Sequence, residues 1–140
     1  HRLEFCYQKN NIIFINDSKA TNIDSVIVAI NTYKQPIVLI LGGFNKGANF
    51  RLLLPHIKSS HVRDIVSYGD AGGQINTALG DAVRSVQVTD LSSAVKKAQL
   101  MAAPGDIVLL SPGCASYDEF SNFEERGNHF KSIIKNLEAS

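Results

Sequence analysis

Residues 37–43 read IVLILGG, in which five consecutive apolar residues lead into two glycines. An uninterrupted apolar run of this kind is typical of a strand buried on both faces, as in a parallel sheet with helices on each side. The glycines end the run and favour a turn. We therefore predict a central strand over residues 37–41. The run is far shorter than the roughly 20 apolar residues that span a bilayer.

Strand patterns recur on both sides of this run. Leu3, Phe5 and Tyr7 alternate with polar residues over residues 2–8, which predicts a half-buried strand with these three side chains on one side. A polar turn at residues 9–11 separates it from the next apolar run, so we expect the chain to open with a β-hairpin. Further strands are expected at residues 12–15, 64–68, 85–88 and 107–110.

Helical patterns lie between these strands. Asn22 is placed to cap a helix that ends before Pro36, and Asp90 is placed to cap a later one. Shorter helices are expected over residues 74–79 and over residues 50–59, the latter interrupted or kinked near Pro55. The apolar stripes are Val26, Ile27, Ile30 and Tyr33 in the first helix and Phe123, Phe130, Ile133, Ile134 and Leu137 in the last.

Short apolar strands that alternate with helices pair in parallel, and their right-handed crossovers place helices on both faces. The predicted fold class is α/β: a Rossmann-like, mostly parallel six-stranded sheet with helices on both faces and an N-terminal β-hairpin. We expect one domain over residues 1–140. Because the chain begins at His1 rather than at a methionine and runs at once into a strand pattern, we interpret it as a piece of a longer polypeptide.

The composition is that of a globular protein. Apolar residues make up 44% and charged residues 19% of the 140 residues, and the net charge is +1. Without a basic patch, nucleic acid is not an expected partner, and no membrane segment or signal peptide is visible. The two cysteines, Cys6 and Cys114, have no metal-type spacing, so we predict no metal site and a reducing, cytoplasmic location. A monomer is expected.

Four predicted strands are followed by segments rich in small and polar residues. These segments are DSKATN (17–22), GGFNKG (42–47), GDAGG (69–73) and SPGCASYD (111–118). In an open parallel sheet the carboxyl ends of the strands meet at one edge, where ligands bind. We therefore expect these four segments to lie together at that edge.

The DSKATN segment combines an expected helix start with a lysine and a hydroxyl. Free N–H groups and the partial positive charge at a helix start attract anions, and Lys19 and Thr21 would add a charge and a donor. Asp17 would repel a phosphate, so we expect it to accept hydrogen bonds from a sugar's hydroxyls or to orient Lys19. A helix cap beside a solvated lysine explains the same residues equally well.

The GGFNKG segment is a second glycine-rich loop with a lysine. It is not a Walker loop, because Lys46 precedes Gly47 rather than following it and no Ser or Thr comes next. A flexible turn explains the segment, and the alternative is that Lys46 anchors a carboxylate.

The SPGCASYD segment presents a cysteine and a serine. Cys114 as a nucleophile with His129 as its base is disfavoured, since Pro112 and Ser116 occupy the places where a nucleophile elbow needs glycine. A small buried cysteine is the favoured interpretation. Ser116 either donates to a carboxylate or caps a helix.

The first turn of the last helix carries one aromatic residue followed by three charged ones. Phe123 lies on the apolar stripe and is expected in the core. Glu124, Glu125 and Arg126 are interpreted as a solvated face or a local pairing.

Together, DSKATN, GGFNKGANF and SPGCASYDEFSNFEERGNHF resemble the C-terminal domain of the Mur ligase family, in particular its members that add D-glutamate. The resemblance runs from His1 to about Lys131, and the opening HRLEF also fits the start of that domain. Gly113 stands where many relatives are expected to have alanine. A DNPR-type signature of the members that add the third amino acid is not found. Folylpolyglutamate synthases resemble this family in architecture, but the CAS and NFEERG blocks speak against them.

The resemblance implies an ATP-dependent ligase of peptidoglycan-precursor synthesis. Such an enzyme joins D-glutamate to UDP-N-acetylmuramoyl-L-alanine through an acyl phosphate, with Mg²⁺ offsetting the phosphate charge. ATP and Mg²⁺ are expected to be bound mainly by a central domain that this chain lacks, so the chain alone would bind D-glutamate or nucleotide weakly and not catalyse. The alternative is a free-standing α/β module that binds an anion or regulates another protein without catalysis.

The resemblance also implies residue roles. Thr21 and Lys46 are expected to bind the α-carboxylate of D-glutamate, and Ser116 with the backbone around Phe123 its side-chain carboxylate. Lys19 is the expected catalytic residue, close to the phosphoryl and amino-acid groups. The expected contacts to the nucleotide's ribose are Asp17 and Arg2, with His1 beside them.

Overall fold

A six-stranded sheet runs through the middle of the computed structural model, which describes residues 1–138. Its spatial order is β1-β2-β6-β3-β4-β5, in which only the β1–β2 pair is antiparallel. The expected α/β class, the six strands and the N-terminal hairpin are therefore confirmed. The strands are β1 (Glu4–Lys9), β2 (Ile12–Asn16), β3 (Ile37–Gly42), β4 (Val62–Tyr68), β5 (Arg84–Gln87) and β6 (Ile107–Gly113).

Helices cover both faces of this sheet. The helices are α1 (Ile23–Thr32), α2 (Leu54–Ser59), α3 (Gly72–Leu79), α4 (Leu91–Met101) and α5 (Phe123–Glu138), and a 3₁₀ helix (Phe50–Leu53) precedes α2. One apolar core joins the sheet to α1, α2, α3 and the 3₁₀ helix, and a second joins it to α4 and α5.

Strand β3 is the centre of the sheet, as its sequence predicts. Ile37, Leu39 and Leu41 point into the first core, whereas Val38 and Ile40 point into the second. All five side chains are fully buried. Each contributes about 1.5–3 kcal/mol of burial free energy, which is why a run without polar alternation is stable here.

Two predicted caps start the longer crossover helices. Asn22 Oδ1 accepts a hydrogen bond from the Ser25 N–H at 2.9 Å, and Asp90 Oδ1 accepts one from the Ser93 N–H at 2.8 Å. The bond from Ser93 stabilises the charged carboxylate, which lowers the pKa of Asp90. The two predicted helix starts are thus confirmed.

Strand β1 differs from its prediction. A bulge between Phe5 and Tyr7 breaks the strict alternation, and Phe5 is 59% exposed. Leu3 packs against the first core, whereas Cys6 and Tyr7 pack against the second. The expectation that Leu3, Phe5 and Tyr7 share one side was wrong, because a bulge shifts every later side chain to the other face.

The helix expected over residues 50–59 is interrupted, as Pro55 suggested. A 3₁₀ helix occupies Phe50–Leu53 and α2 follows, with the proline in its first turn. Proline is tolerated there because the first N–H groups of a helix have no partner within the helix.

The connections place a crevice at one edge of the sheet. The chain leaves β2 and β3 toward the face of α1 and α2, but it leaves β6 toward the face of α5. Strand β6 lies between β2 and β3, so neighbouring connections diverge at its carboxyl end. Ligands of open α/β sheets bind at such divergences.

Candidate functional site

The segments that follow the strands meet at this edge, as predicted. The Gly113 N–H donates to the Ala20 carbonyl oxygen at 2.8 Å, which joins the loops after β6 and β2. Phe44 and Ala115 exchange two backbone hydrogen bonds of 2.8 and 3.1 Å, which join the loops after β3 and β6. The Ala71 N–H donates to the Gly43 carbonyl oxygen at 2.9 Å, which adds the loop after β4.

A buried arginine holds two of these loops together. Arg126 of α5 is 0% exposed, so the expectation of a solvated or locally paired residue was wrong. Its guanidinium donates to Ser18 Oγ at 2.9 Å, to the Ser18 carbonyl oxygen at 2.8 Å and to the Cys114 carbonyl oxygen at 2.9 Å. The guanidinium group is planar and has five N–H donors, so it can bond to several acceptors at once. The sequence did contain an indication that Arg126 is buried. It lies three residues after Phe123 and four before Phe130, which places it on the apolar stripe of the helix.

The start of α5 is tied to the first loop. Ser18 Oγ donates to the Phe123 carbonyl oxygen at 2.7 Å. Phe123 is half-buried and belongs to neither core, so the expectation of a core residue was wrong. Its ring instead meets that of His1 edge-on near the chain start, with centroids 6.1 Å apart. The Glu125 N–H donates to Asn122 Oδ1 at 2.8 Å, so Asn122 provides the cap that had been considered for Ser116. The N–H of Phe123, the first residue of the helix, has no intrahelical acceptor.

A cleft of about 400 Å³ lies between the loops after β2, β3 and β6. Thr21 and Lys46 line it from two sides, and Cys114 and Ala115 form part of its wall. Both Thr21 and Lys46 are exposed. Asp24 also lies at the cleft, so the site carries one negative as well as one positive side chain.

Lys46 projects from a turn that the Asn45 side chain holds by hydrogen bonds. Asn45 Oδ1 accepts from the Gly47 N–H at 2.9 Å and from the Ala48 N–H at 2.7 Å. The Asn45 amide also donates to Gln74 of α3. This side chain organises the backbone around Lys46, whose Nζ lies 4.7 Å from the ring centroid of Tyr117.

Ser116 follows the cleft wall directly but does not line the cleft itself. Its carbonyl oxygen accepts from the N–H groups of Glu119 and Phe120 at 3.1 and 2.8 Å, which starts a turn. The side chain is 3% exposed, and within residues 1–138 its hydroxyl has no hydrogen-bond partner.

The remaining predicted residues lie around a second, smaller pocket. Arg2, Asp17 and Lys19 line a space of about 190 Å³ beside α1. The Lys19 N–H donates to the His1 carbonyl oxygen at 3.1 Å, so His1 is adjacent. The structure therefore brings Thr21 together with Lys46, and Lys19 together with Asp17 and Arg2, in two neighbouring spaces.

Asp17 is buried and has two protein donors. Its Oδ1 accepts from the Leu3 N–H at 3.1 Å and its Oδ2 accepts from Ser111 Oγ at 2.8 Å. Burial raises the pKa of Asp17, and these hydrogen bonds oppose that shift. A carboxylate has about four lone-pair positions, so acceptor capacity remains for a further donor.

Cys114 has the properties of a core residue. Its side chain is 2% exposed, and burial raises the pKa of its thiol to about 12. His129, the base considered for it, is exposed and lies 3.3 Å from Ser92 Oγ of α4. The prediction that Cys114 is a small buried cysteine is confirmed.

Metal-binding clusters and membrane-spanning helices are both absent from residues 1–138. This part of the chain contains no group of three or more His, Cys, Asp or Glu side chains arranged to hold a metal ion. None of its helices has both the length and the apolar character needed to cross a membrane.

The sequence matches relatives and a family model. Residues 1–114 match the family described as "Mur ligase, glutamate ligase domain". The chain is 45% identical over 139 residues to the UDP-N-acetylmuramoylalanine–D-glutamate ligase of Chlamydia caviae, covering 99% of this chain and 33% of that enzyme. The chain thus spans about a third of the length of the curated relatives that it matches.

Solved structures share the fold. The UDP-N-acetylmuramate–alanine ligase of Thermotoga maritima matches 97% of this chain and 30% of its own, with a TM-score of 0.63 and 14% identity. A bifunctional folylpolyglutamate synthase/dihydrofolate synthase of Yersinia pestis matches 98% of this chain and 30% of its own, with a TM-score of 0.65 and 16% identity. The fold alone does not separate these enzymes, but the family model matches four-fifths of the sequence. The chain belongs to the Mur ligase family, as its glutamate ligase domain.

Proposed function

We propose that this chain is the C-terminal, amino-acid-binding domain of a three-domain, ATP-dependent ligase that adds D-glutamate to UDP-N-acetylmuramoyl-L-alanine. The observation that carries the proposal is the cleft of about 400 Å³ at the carboxyl edge of the sheet, where Thr21 and Lys46 converge from separate loops. The relatives with 38–45% identity are named for this reaction, which supports the choice of acceptor.

The cleft offers donors for an amino acid with two negative charges. Lys46 supplies a full positive charge and Thr21 a hydroxyl, which suits the α-carboxylate of D-glutamate. Within residues 1–138 the Ser116 hydroxyl has no hydrogen-bond partner and the Phe123 N–H has no acceptor. We propose that they bind the side-chain carboxylate from beside the cleft, whose lining does not include them. Each charge-assisted hydrogen bond of this kind contributes about 1.5–3 kcal/mol. Asp24 is the negative side chain at the cleft, and it suits the ammonium group of D-glutamate.

The second pocket has the size and the side chains to bind part of a nucleotide. At about 190 Å³ it is smaller than the ligand pockets of roughly 300–1,000 Å³ that enclose whole small molecules. We therefore propose that this pocket is one side of a nucleotide site, and that the rest of the protein forms the other side. Asp17 accepts from ribose hydroxyls there, Arg2 and His1 lie alongside, and Lys19 directs its ammonium toward the phosphoryl group.

Within residues 1–138, no group of three or more His, Cys, Asp or Glu side chains is arranged to hold a metal ion. We assign Mg²⁺ and the main ATP contacts to the part of the enzyme outside this chain.

The reaction needs this domain for positioning. ATP supplies the phosphoryl group that activates the precursor's carboxylate as an acyl phosphate. The amine of D-glutamate attacks the acyl carbon, an amide bond forms, and inorganic phosphate leaves while the amine loses a proton. The Thr21 and Lys46 side chains hold the amino acid so that its amine faces that carbon, and such positioning accounts for much of the rate. The chain alone is then not catalytic, and we expect a cytoplasmic, monomeric enzyme.

Binding to the chain tests the assignment of the cleft. D-Glutamate should shift the backbone amide resonances of Thr21, Lys46 and Ala115, and L-glutamate should shift them less at equal concentration. Lys46→Ala should weaken binding at least tenfold, because a charge-assisted bond is lost. Lys58→Ala, which removes an exposed lysine of α2 outside the cleft, is the matched control. Equal effects of the two variants would exclude Lys46 as the anchor.

The complete enzyme tests the reaction. Phosphate release from ATP should depend on both D-glutamate and UDP-N-acetylmuramoyl-L-alanine, and Lys46→Ala should raise the KM for D-glutamate. A coding sequence with a start codon just before His1 and no further domains would instead favour a free-standing anion-binding module.

A further inference from the structure

We infer that Tyr117 is a positioning residue that holds the ammonium group of Lys46 in place for the acceptor amino acid. The inference rests on the proposed function, since it assigns a second residue to the carboxylate anchor of that cleft. Lys46 Nζ lies 4.7 Å from the centroid of the Tyr117 ring. This distance is within the roughly 6 Å at which a cation is attracted to an aromatic face.

The two side chains project from neighbouring loops. Phe44 and Ala115 form an isolated antiparallel bridge between the loops after β3 and β6. Beyond an antiparallel bridge the two chains run in opposite directions, so the bridge joins the loops but does not itself pair Lys46 with Tyr117. A turn follows each partner, one held by the Asn45 side chain and one by the Ser116 carbonyl oxygen, and Lys46 Nζ lies 4.7 Å from the centroid of the Tyr117 ring.

Tyr117 meets Lys46 at the surface of the protein. It is 59% exposed, so the core does not hold its ring. It does not line the cleft, whereas Lys46 does, so the ring contacts the ammonium group from outside the cleft. A change at Tyr117 should therefore act on Lys46 without altering the core or the cleft wall.

An aromatic partner suits an anchor better than a carboxylate does. A lysine has a flexible four-carbon stem, and a fixed neighbour reduces the number of positions that its charge samples. A carboxylate neighbour would compete with the ligand's carboxylate for the same ammonium group. A ring attracts the cation without neutralising it, and within residues 1–138 Lys46 has no hydrogen bond or ion pair to a protein group. The charge thus remains available to the ligand.

The contact between Lys46 and the Tyr117 ring can be tested in the absence of a ligand. In the wild-type chain the ε-methylene protons of Lys46 should resonate upfield of those of other exposed lysines, because they lie near an aromatic face. Tyr117→Leu should remove this shift and Tyr117→Phe should retain it. A Lys46 resonance at the ordinary lysine position in the wild-type chain would overturn the inference.

The effect on binding is tested by a double-mutant cycle. Tyr117→Leu should weaken D-glutamate binding about two- to fivefold, the range expected of an exposed cation–π contact, and Tyr117→Phe should bind like the wild type. In the Lys46→Ala background the Tyr117→Leu change should have no further effect. Phe5→Leu, on β1 and equally exposed at 59%, is the matched control and should bind normally.

The outcomes separate the two proposals. In the complete enzyme, Tyr117→Leu should raise the KM for D-glutamate by the same factor and leave kcat unchanged. If Lys46→Ala weakens binding but Tyr117→Leu does not, the role of Tyr117 is wrong and the proposed function stands. If neither the wild-type chain nor the complete enzyme responds to D-glutamate, the proposed function fails and the role of Tyr117 fails with it.

Discussion

Arg126 donates hydrogen bonds to both the side chain and the main chain of Ser18, from a position that solvent does not reach. A third bond to the Cys114 carbonyl oxygen completes a link between α5 and the loops after β2 and β6. All three acceptors are neutral oxygens. An unpaired buried charge is costly, so the guanidinium remains there only because these dipoles are fixed around it. Two of the three loops that border the proposed cleft thus depend on one side chain of the last helix.

Replacing Arg126 should therefore destabilise the chain strongly. Arg126→Ala leaves two carbonyl oxygens without donors, and we expect a loss of about 2–4 kcal/mol in the free energy of unfolding. Arg126→Lys keeps the charge but cannot reach three acceptors with one ammonium group, so it should recover less than half of that loss. Urea denaturation followed by circular dichroism measures both.

The exposed Arg51 of the 3₁₀ helix is the control for this prediction. Arg51→Ala should change the free energy of unfolding by no more than about 0.5 kcal/mol. If Arg126→Ala were no more destabilising than Arg51→Ala, the three hydrogen bonds would not contribute as described.

The role of Arg126 shows what local sequence patterns cannot reveal. Beside Glu124 and Glu125 it looks like part of a charged surface, and its acceptors lie 108 and 12 residues away in the chain. Only the helical spacing with Phe123 and Phe130 placed it on the buried face. The resemblance, which included the NFEERG block, identified the segment as important without giving this reason.

Other parts of the fold were predictable because their causes are local. The buried run at residues 37–41, the caps Asn22 and Asp90 and the break near Pro55 each depend on neighbouring residues, and all are confirmed. The bulge in β1 was missed because it depends on pairing with β2. The meeting of the loops at one edge followed from topology, but the division of the predicted site into two spaces depends on the packing of α1, whose residues line both.

Gly43 should tolerate no side chain, because two loops approach each other there. Its φ is +123°, and a Cβ atom would lie 2.4 Å from the Ala115 carbonyl oxygen. Gly47 also has a positive φ, of +90°, but a Cβ atom there would meet nothing within 4 Å. Gly47→Ala should therefore cost about 1–2 kcal/mol through backbone strain alone.

Gly43→Ala should cost at least about 3 kcal/mol, since the clash adds to the strain and opens the Phe44–Ala115 bridge. Thermal unfolding of the two variants measures the difference. A smaller loss for Gly43→Ala than for Gly47→Ala would mean that the loops after β3 and β6 are not in contact.

The cap at Asp90 should depend on pH. The Ser93 N–H stabilises the carboxylate and lowers the pKa of Asp90 below its ordinary value of 3.8. A lowered pKa contributes stability that is present above the ordinary value and is lost as the pH falls through the folded-state value. Asp90→Asn keeps a capping group without this titration, so the wild type should be more stable than the variant at pH 7, and this advantage should be lost as the pH falls through the folded-state pKa of Asp90.

Urea denaturation of the wild type and of Asp90→Asn measures the difference in their free energies of unfolding. The pH should run from about 2.5 to about 7, which brackets the ordinary pKa of 3.8. Asp90→Ala should be less stable than Asp90→Asn by about 1 kcal/mol throughout, because it lacks any cap. An advantage of the wild type that grew toward low pH would contradict the lowered pKa.

The two thiols should react slowly and in a fixed order. Burial raises the pKa of Cys6 to about 11 and that of Cys114 to about 12, and Cys6 is half-buried whereas Cys114 is 2% exposed. The thiolate is the reactive form, so modification by a disulfide reagent at neutral pH should be far slower than for a free cysteine, whose pKa is about 8.5. Mass spectrometry should find Cys6 modified first, and Cys114 modified only when the chain unfolds. In urea both should react at one rate, which serves as the control. Rapid modification of Cys114 in the folded chain would mean that the wall of the proposed cleft opens to solvent.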